Sequence, residues 1–145
     1  MTLAMTAAER EAFLAEPRIG VLSVADRDGR APLTVPIWYH YRPGGQIWFS
    51  TGTGSRKMER IREAGRVSLL AQTEQPPYRY VSIEGPVTAI DPARPEERRA
   101  LAKRYLGPDG ANRYLEATKS VADTMVIVRV DPEHWLSRDY AKDPG

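Results

Sequence analysis

Between Ala31 and Tyr41 the side chains alternate with a period of two. Leu33, Val35, Ile37, Tyr39 and Tyr41 fall on one face of an extended chain, and Thr34, Pro36, Trp38 and His40 on the other. That period belongs to a β-strand and not to a helix. Turn-forming residues flank the segment closely, Asp26-Arg27-Asp28-Gly29 before it and Pro43-Gly44-Gly45 after it. Beyond those turns, Ile19 to Ala25 and Gln46 to Thr51 also read as strands. A parallel pair needs a crossover of about a dozen residues or more, which these connections do not have, so the strands pair antiparallel. Pro36 has no N–H for a ladder, which predicts an edge position or a bulge there.

The rest of the chain extends the same architecture. Thr6-Ala7-Ala8-Glu9 has the form of a capping box and opens a helix through Phe13 and Leu14 that ends before Pro17. Ser55 to Ala64 reads as a short helix after a glycine-rich loop. Arg66 to Thr73 and Tyr78 to Ile90 read as strands, the second with a bulge expected at Gly85-Pro86. Pro95 to Leu106 and Ala111 to Lys119 read as helices separated by a turn at Gly107 to Gly110. Thr124 to Val130 is the last expected strand, followed by a polar tail through His134, Trp135 and Tyr140. The expectation is a mainly β, α+β fold: about six antiparallel strands in a small barrel, with short helices at the periphery. The 145 residues make one domain, 1–145.

Composition narrows the functional classes. The chain has no cysteine, which removes disulfides, thiolate metal sites and cysteine nucleophiles. Its two histidines, His40 and His134, are far apart and lack the spacing of metal ligands, so no metal site is expected. No Gly-x-Ser-x-Gly elbow is present for a serine nucleophile. Net charge is only +2, which suits a small anionic ligand better than a nucleic-acid track. The N-terminal residues lack an apolar signal core and no apolar run approaches the length of a membrane span, so a cytoplasmic protein is expected.

The charge pattern of the helices singles out one site. A helix N-terminus carries partial positive charge and favours acidic side chains. The first helix complies with Glu9, and the helix from Pro95 with Glu96 and Glu97. The helix from Ser55 opens instead with Arg56 and Lys57, and Arg60 lies one turn on, on the face of Arg56. An anion would answer these cations, assisted by the hydroxyls of Ser50, Thr51 and Ser55 and by close backbone approach at Gly52 and Gly54. The competing reading is a solvated basic helix balanced by its own Glu59 and Glu63. The order of a P-loop is absent.

These residues also carry a family resemblance. Ser50-Thr-Gly-Thr-Gly-Ser-Arg-Lys57 resembles the strand-loop-helix that binds the FMN phosphate in the pyridoxamine 5′-phosphate oxidase-like superfamily. Pro32-Leu-Thr-Val-Pro-Ile-Trp38 and Lys57-Met-Glu-Arg-Ile-Arg62 with Gly65-Arg-Val-Ser68 are similar to further segments of it. Pro77-Tyr-Arg-Tyr-Val81 and Glu84-Gly85 are similar to the subgroup that uses the deazaflavin coenzyme F420. The resemblance runs from about Met5 to Tyr140. It implies a split β-barrel, a homodimer, and a cofactor in the groove between subunits. Position by position it implies that Ser50, Thr51, Ser55, Arg56 and Lys57 hold the phosphate, that Val35, Pro36, Ile37 and Trp38 line the ring, and that Tyr78, Arg79 and Tyr80 lie near the same groove. Arg60 and Arg79 are candidates for the acidic tail of F420. Ser55-Arg56-Lys57 itself is closer to the FMN-binding form. The strand from Val35 to His40 lacks the arginine that pyridoxamine-phosphate oxidases place there, which argues against vitamin B6 oxidation.

The functional expectation is therefore an F420-dependent oxidoreductase transferring hydride to or from a small organic substrate. The alternatives are an FMN-dependent oxidoreductase of the same fold and a non-catalytic carrier of either cofactor. No catalytic acid–base pair is identifiable, as expected where the cofactor carries the chemistry. Neither a nucleic-acid nor a membrane partner is expected.

Overall fold

The computed structural model describes residues 2–145. Helix α1 (Ala7–Ala15) is closed by the expected capping box, with Thr6 accepting from the Glu9 backbone and Glu9 accepting from Thr6 in return. Strands β1 (Gly20–Val24), β2 (Leu33–Ile37), β3 (His40–Tyr41) and β4 (Ile47–Gly52) follow. Helix α2 (Arg56–Ala64) leads into β5 (Arg66–Gln72) and the long β6 (Arg79–Pro92). Helix α3 (Pro95–Ala117) then precedes β7 (Met125–Val130) and β8 (His134–Asp139). All pairings are antiparallel, in the order β2-β1-β5-β6-β7-β4-β3, with β8 also on β6. The sheet curls into a half-barrel whose main path ends at β2 and β3, with β8 lying off that path on β6. The mainly β, α+β antiparallel barrel expected from the alternation, and the split form that the resemblance implied, is the fold observed, with eight strands among the described residues instead of six.

Two corrections account for the extra strands. The alternating segment 31–41 is two strands, not one. β2 pairs only with β1, while β3 pairs only with β4. Between them the backbone of Tyr39 leaves the ladder and bonds the side chain of Tyr105 in α3: Tyr39 N donates to the phenol oxygen at 3.0 Å, and the same hydroxyl lies 3.0 Å from Tyr39 O. Pro36 sits on an edge strand, as its missing N–H requires. The second correction is the polar tail, which forms β8 along β6 from Glu84↔His134 to Arg79↔Asp139. Its inward position at Ser137 is polar, and Ser137 Oγ accepts from Met5 N at 3.0 Å. A strand whose inner face holds a serine gives no apolar alternation to read.

The bulge in β6 is also displaced from its expected place. The register shifts between Val87 and Ala89, not at Gly85-Pro86. Gly85 has a different job: a Cβ there would lie 1.7 Å from the Asp131 carbonyl oxygen, so the β7–β8 connection can cross β6 only over a glycine. The core is filled by Leu22, Tyr39, Ile47, Phe49, Met58, Ile61, Leu69, Val81, Ile83 and Val128, all essentially buried. Met58 and Ile61 anchor α2 to the barrel wall, which sets the direction of its N-terminus.

Helix α3 is broken once, at Gly107 (φ 73°, ψ 175°), and Pro108 starts its second segment. The turn expected over Gly107 to Gly110 is thus a single-residue break. The first segment is latched to the barrel by Tyr105 and by Arg104, which donates to Ala15 O at 2.7 Å and Glu16 O at 3.0 Å. Arg129 of β7 pairs with Glu97 near its start. The second segment folds back toward Trp38.

Candidate cofactor cleft

The loop after β4 turns through Thr53 and Gly54 and delivers Ser55 as the N-cap of α2, its hydroxyl accepting from Met58 N at 3.1 Å. Thr51 Oγ1 lies 3.3 Å from Ser55 Oγ and is itself buried, so these two hydroxyls hold the loop in shape. Neither Gly52 nor Gly54 has a positive φ, and a Cβ on either would meet no protein atom within 4 Å. The space over the loop is open.

The three cations at the start of α2, Arg56, Lys57 and Arg60, meet different fates. Arg56 Nη2 donates to Asp26 at 2.5 Å. Arg60 is buried, 3 % exposed, and its guanidinium lies among Asp26 (3.7 Å), Glu59 (2.8 Å) and Glu63 (2.7 Å). The Arg60–Glu59 hydrogen bond raises the Arg60 pKa, and it lowers that of Glu59. Hydrogen bonding from the Arg27 backbone and then from Arg56 lowers the pKa of Asp26. Arg60 therefore belongs to an ion-pair cluster on the flank of α2 and not to an open cation surface. The balancing role foreseen for Glu59 and Glu63 applies to it. Lys57 differs: it is half-buried, makes no ion pair among the described residues, and burial lowers its pKa.

Lys57 lines a cleft of about 200 Å³ together with Pro36, Ile37, Trp38 and Ser50. Five of the sequence-predicted site residues, from three separate segments, are brought together there. The Ser50 hydroxyl is shielded from solvent and has no hydrogen-bond partner among the described residues. The remaining predicted residues lie elsewhere. Val35 packs toward the core. Arg79 lines a second cleft of about 770 Å³ with Arg18, Gln72 and Pro77. Tyr78 is 52 % exposed at the start of β6, and Tyr80 is half-buried beside it.

The far wall of the first cleft was missed from the sequence. It comes from α3 and the turn after it: Arg98, Leu101, Ala102, Tyr114, Thr118 and Val121, with Met125 of β7. Trp38 stacks on Tyr105 at 5.1 Å and 8° and meets Tyr114 at 5.2 Å and 48°. The signal that could have exposed this wall was the spacing of Arg98, Leu101 and Ala102, which share one helical face. Of the other aromatics of this region, Tyr39 is core, with its hydroxyl donating to Leu14 O at 2.8 Å, and His40 stacks on Trp48 at 4.7 Å.

The cleft fits a planar group with an anionic tail. It offers flat aromatic and aliphatic walls, a half-buried ammonium and a shielded hydroxyl that have no partner among the described residues, and the N-terminus of a nine-residue helix.

Comparison with known proteins places this geometry. Residues 6–139 match the family model described as pyridoxamine 5′-phosphate oxidase. Among solved structures, the chain is similar to a conserved hypothetical protein of Mycobacterium tuberculosis at 28% identity, covering 95% of this chain and 87% of that one, with a TM-score of 0.74. It is similar to an F420 reductase at 25% identity, with coverages of 87% and 94% and a TM-score of 0.70. An FAD-binding protein of Mesorhizobium loti shares the fold at 23% identity, with coverages of 94% and 94% and a TM-score of 0.62. No relative was found among proteins of curated function.

Proposed function

The chain belongs to the pyridoxamine 5′-phosphate oxidase family, and on that premise we propose that it is an oxidoreductase that holds coenzyme F420 in the Lys57 cleft and transfers hydride to or from a small organic substrate. The observation that carries this reading is Lys57: a half-buried cation with no carboxylate partner among the described residues, beside a hydroxyl likewise unpaired among them, in a cleft walled by Trp38. Burying an unanswered charge is costly, and a phosphate would answer it. The likeness to an F420 reductase supports the deazaflavin over FMN.

Bound in such a cleft, the cofactor supplies the hydride chemistry. The chain's own residues bind, orient and exclude water. Lys57 Nζ and the Ser50 hydroxyl donate to phosphate oxygens. Ser55, as N-cap, keeps α2 pointed at the same place. Trp38 presents a flat face, and Ile37, Leu101 and Ala102 keep the ring side dry. Arg56 contributes to the field at the helix end, although Asp26 neutralises part of it.

A homodimer is part of the same proposal. Tyr78, Arg79 and Tyr80 do not reach the Lys57 cleft within one chain. Their assignment to the cofactor groove therefore requires a second copy to supply them.

Titration of the purified protein with F420 and with FMN, followed by fluorescence, tests the reading. Tight F420 binding is expected. Tight binding of FMN alone would reassign the cofactor, and binding with no turnover on any substrate offered would mark a carrier. Failure to bind either would overturn the site.

A further inference from the structure

We propose that Arg98 is a second anion contact of this cleft, held in place by Thr118, so that the cleft takes a ligand bearing at least two negative charges. The inference rests on the reading that the cleft holds a phosphate-bearing cofactor. Its own evidence lies on the opposite wall, in α3.

The charged residues near the start of α3 are accounted for almost pairwise. Arg94 bonds Glu97 and lies near Glu96. Glu97 also receives Arg129. Arg99 donates to Asn112 at 2.6 Å. Arg98 alone in this group faces the cleft, and it makes no ion pair among the described residues. Its Nη2 donates to Thr118 Oγ1 at 2.8 Å, and that hydroxyl donates onward to Tyr114 O at 2.8 Å. The chain of bonds fixes one edge of the guanidinium. A guanidinium carries five N–H donors, so one bond to threonine leaves most of the fork unspent.

The two walls thus present one cation each, Lys57 from α2 and Arg98 from α3, and no carboxylate lines the space between. Two cations left unanswered in one half-buried cleft repel one another, and a monoanion would balance only one of them. The rigid first segment of α3, latched through Tyr105 and Arg104, fixes the position of Arg98 on this wall. Arg98 is the binding residue and Thr118 a positioning residue.

Fluorescence titrations of FMN, F420 and riboflavin against the wild-type chain, Arg98→Gln, Thr118→Val and Lys57→Gln test this. Riboflavin has the ring without a phosphate. Removing one charge-assisted hydrogen bond is expected to weaken the phosphate-bearing ligands about tenfold or more, with riboflavin unchanged and a shallower salt dependence. Equal loss for FMN and F420 assigns Arg98 to the phosphate, whereas loss for F420 alone assigns it to the acidic tail. Thr118→Val should show part of the same selective loss, with Thr118→Ser restoring it. It carries the test if Arg98→Gln does not fold. Equal weakening of riboflavin would show that Arg98 merely packs α3 and would overturn the inference, as would unchanged affinity for both charged ligands. A wild-type chain that binds neither FMN nor F420 overturns the site itself, whereas loss at Lys57→Gln without loss at Arg98→Gln overturns only the role of Arg98.

Discussion

Arg56 and Arg60, one turn apart on α2, flank one carboxylate: Asp26 accepts from Arg56 Nη2 at 2.5 Å, and its other oxygen lies 3.7 Å from Arg60 Nη1 as an ion pair. This sharing divides the basic start of α2 into a structural pair and one functional cation. Lys57, between them in sequence, turns to the other side and is left without a partner among the described residues.

That division predicts two different phenotypes. Lys57→Glu should abolish binding of both FMN and F420 in a fluorescence titration while leaving the melting temperature near that of the wild-type chain, because no ion pair is broken. Arg60→Met should do the reverse. It removes the buried guanidinium and leaves Glu63 without a partner, while Asp26 keeps Arg56 and Glu59 keeps Arg27, and it should lower the melting temperature by a few degrees with cofactor affinity changed less than threefold, roughly 0.6 kcal/mol.

Gly85→Ala should be among the most damaging single-methyl additions in the chain. The new Cβ would lie 1.7 Å from a backbone oxygen, which no rotamer change relieves. A cost on the order of 3 kcal/mol or more is expected in chemical denaturation, with β8 pairing lost first in hydrogen exchange.

Gly107→Ala has space around it but the wrong dihedrals. With φ 73° and ψ 175°, the position lies where only glycine is at ease, and alanine should cost on the order of 1–3 kcal/mol. The second segment of α3 carries Tyr114 and is followed by Thr118, both in the cleft wall. The same variant should therefore weaken cofactor binding, in contrast to Gly85→Ala measured at matched folded fraction.

Alkaline stability should report on Tyr39. Burial pushes its phenol up to about 12 from the ordinary 10. The folded state therefore holds the proton more tightly than the unfolded state. The stabilisation is fully present below pH 10 and is lost as pH rises toward 12, by on the order of 2–3 kcal/mol. Tyr41, also buried and raised to about 12, loses stabilisation over the same pH range. Urea titrations of Tyr39→Phe between pH 9 and pH 12 should show a flatter decline. Its stability at pH 8 should be lower by about 1 kcal/mol for the lost bond to Leu14 O.

The legible parts of the fold were those with strong local patterns. Thr6 with Glu9 marks the first helix, and the short glycine turns dictate antiparallel neighbours. Pro36 marks an edge because a missing donor is a property of the residue itself. The break at Trp38-Tyr39 was not legible, because it depends on a hydroxyl delivered from Tyr105, 66 residues away. β8 was hidden for a related reason: its pairing partner, β6, supplies the order that its own composition does not.

The site divides along the same line. The sequence by itself determined that α2 begins with cations where a helix favours acids, that a glycine-rich loop precedes it, and that flanking patterns resemble one family. These are local properties, readable from spacing and charge. Only the tertiary structure decided which cation is free. Arg56 is consumed because Asp26, thirty residues earlier, folds against α2, Arg60 is answered on the helix itself by Glu59 and Glu63, and Lys57 is exposed to the cleft because Met58 and Ile61 fix the rotation of the helix. The α3 wall was likewise a tertiary decision, since the pairing of Arg98 with Thr118 exists only once the helix has broken at Gly107 and folded back. Charge pattern is written along the chain, but whether a charge is answered depends on what long-range packing brings beside it.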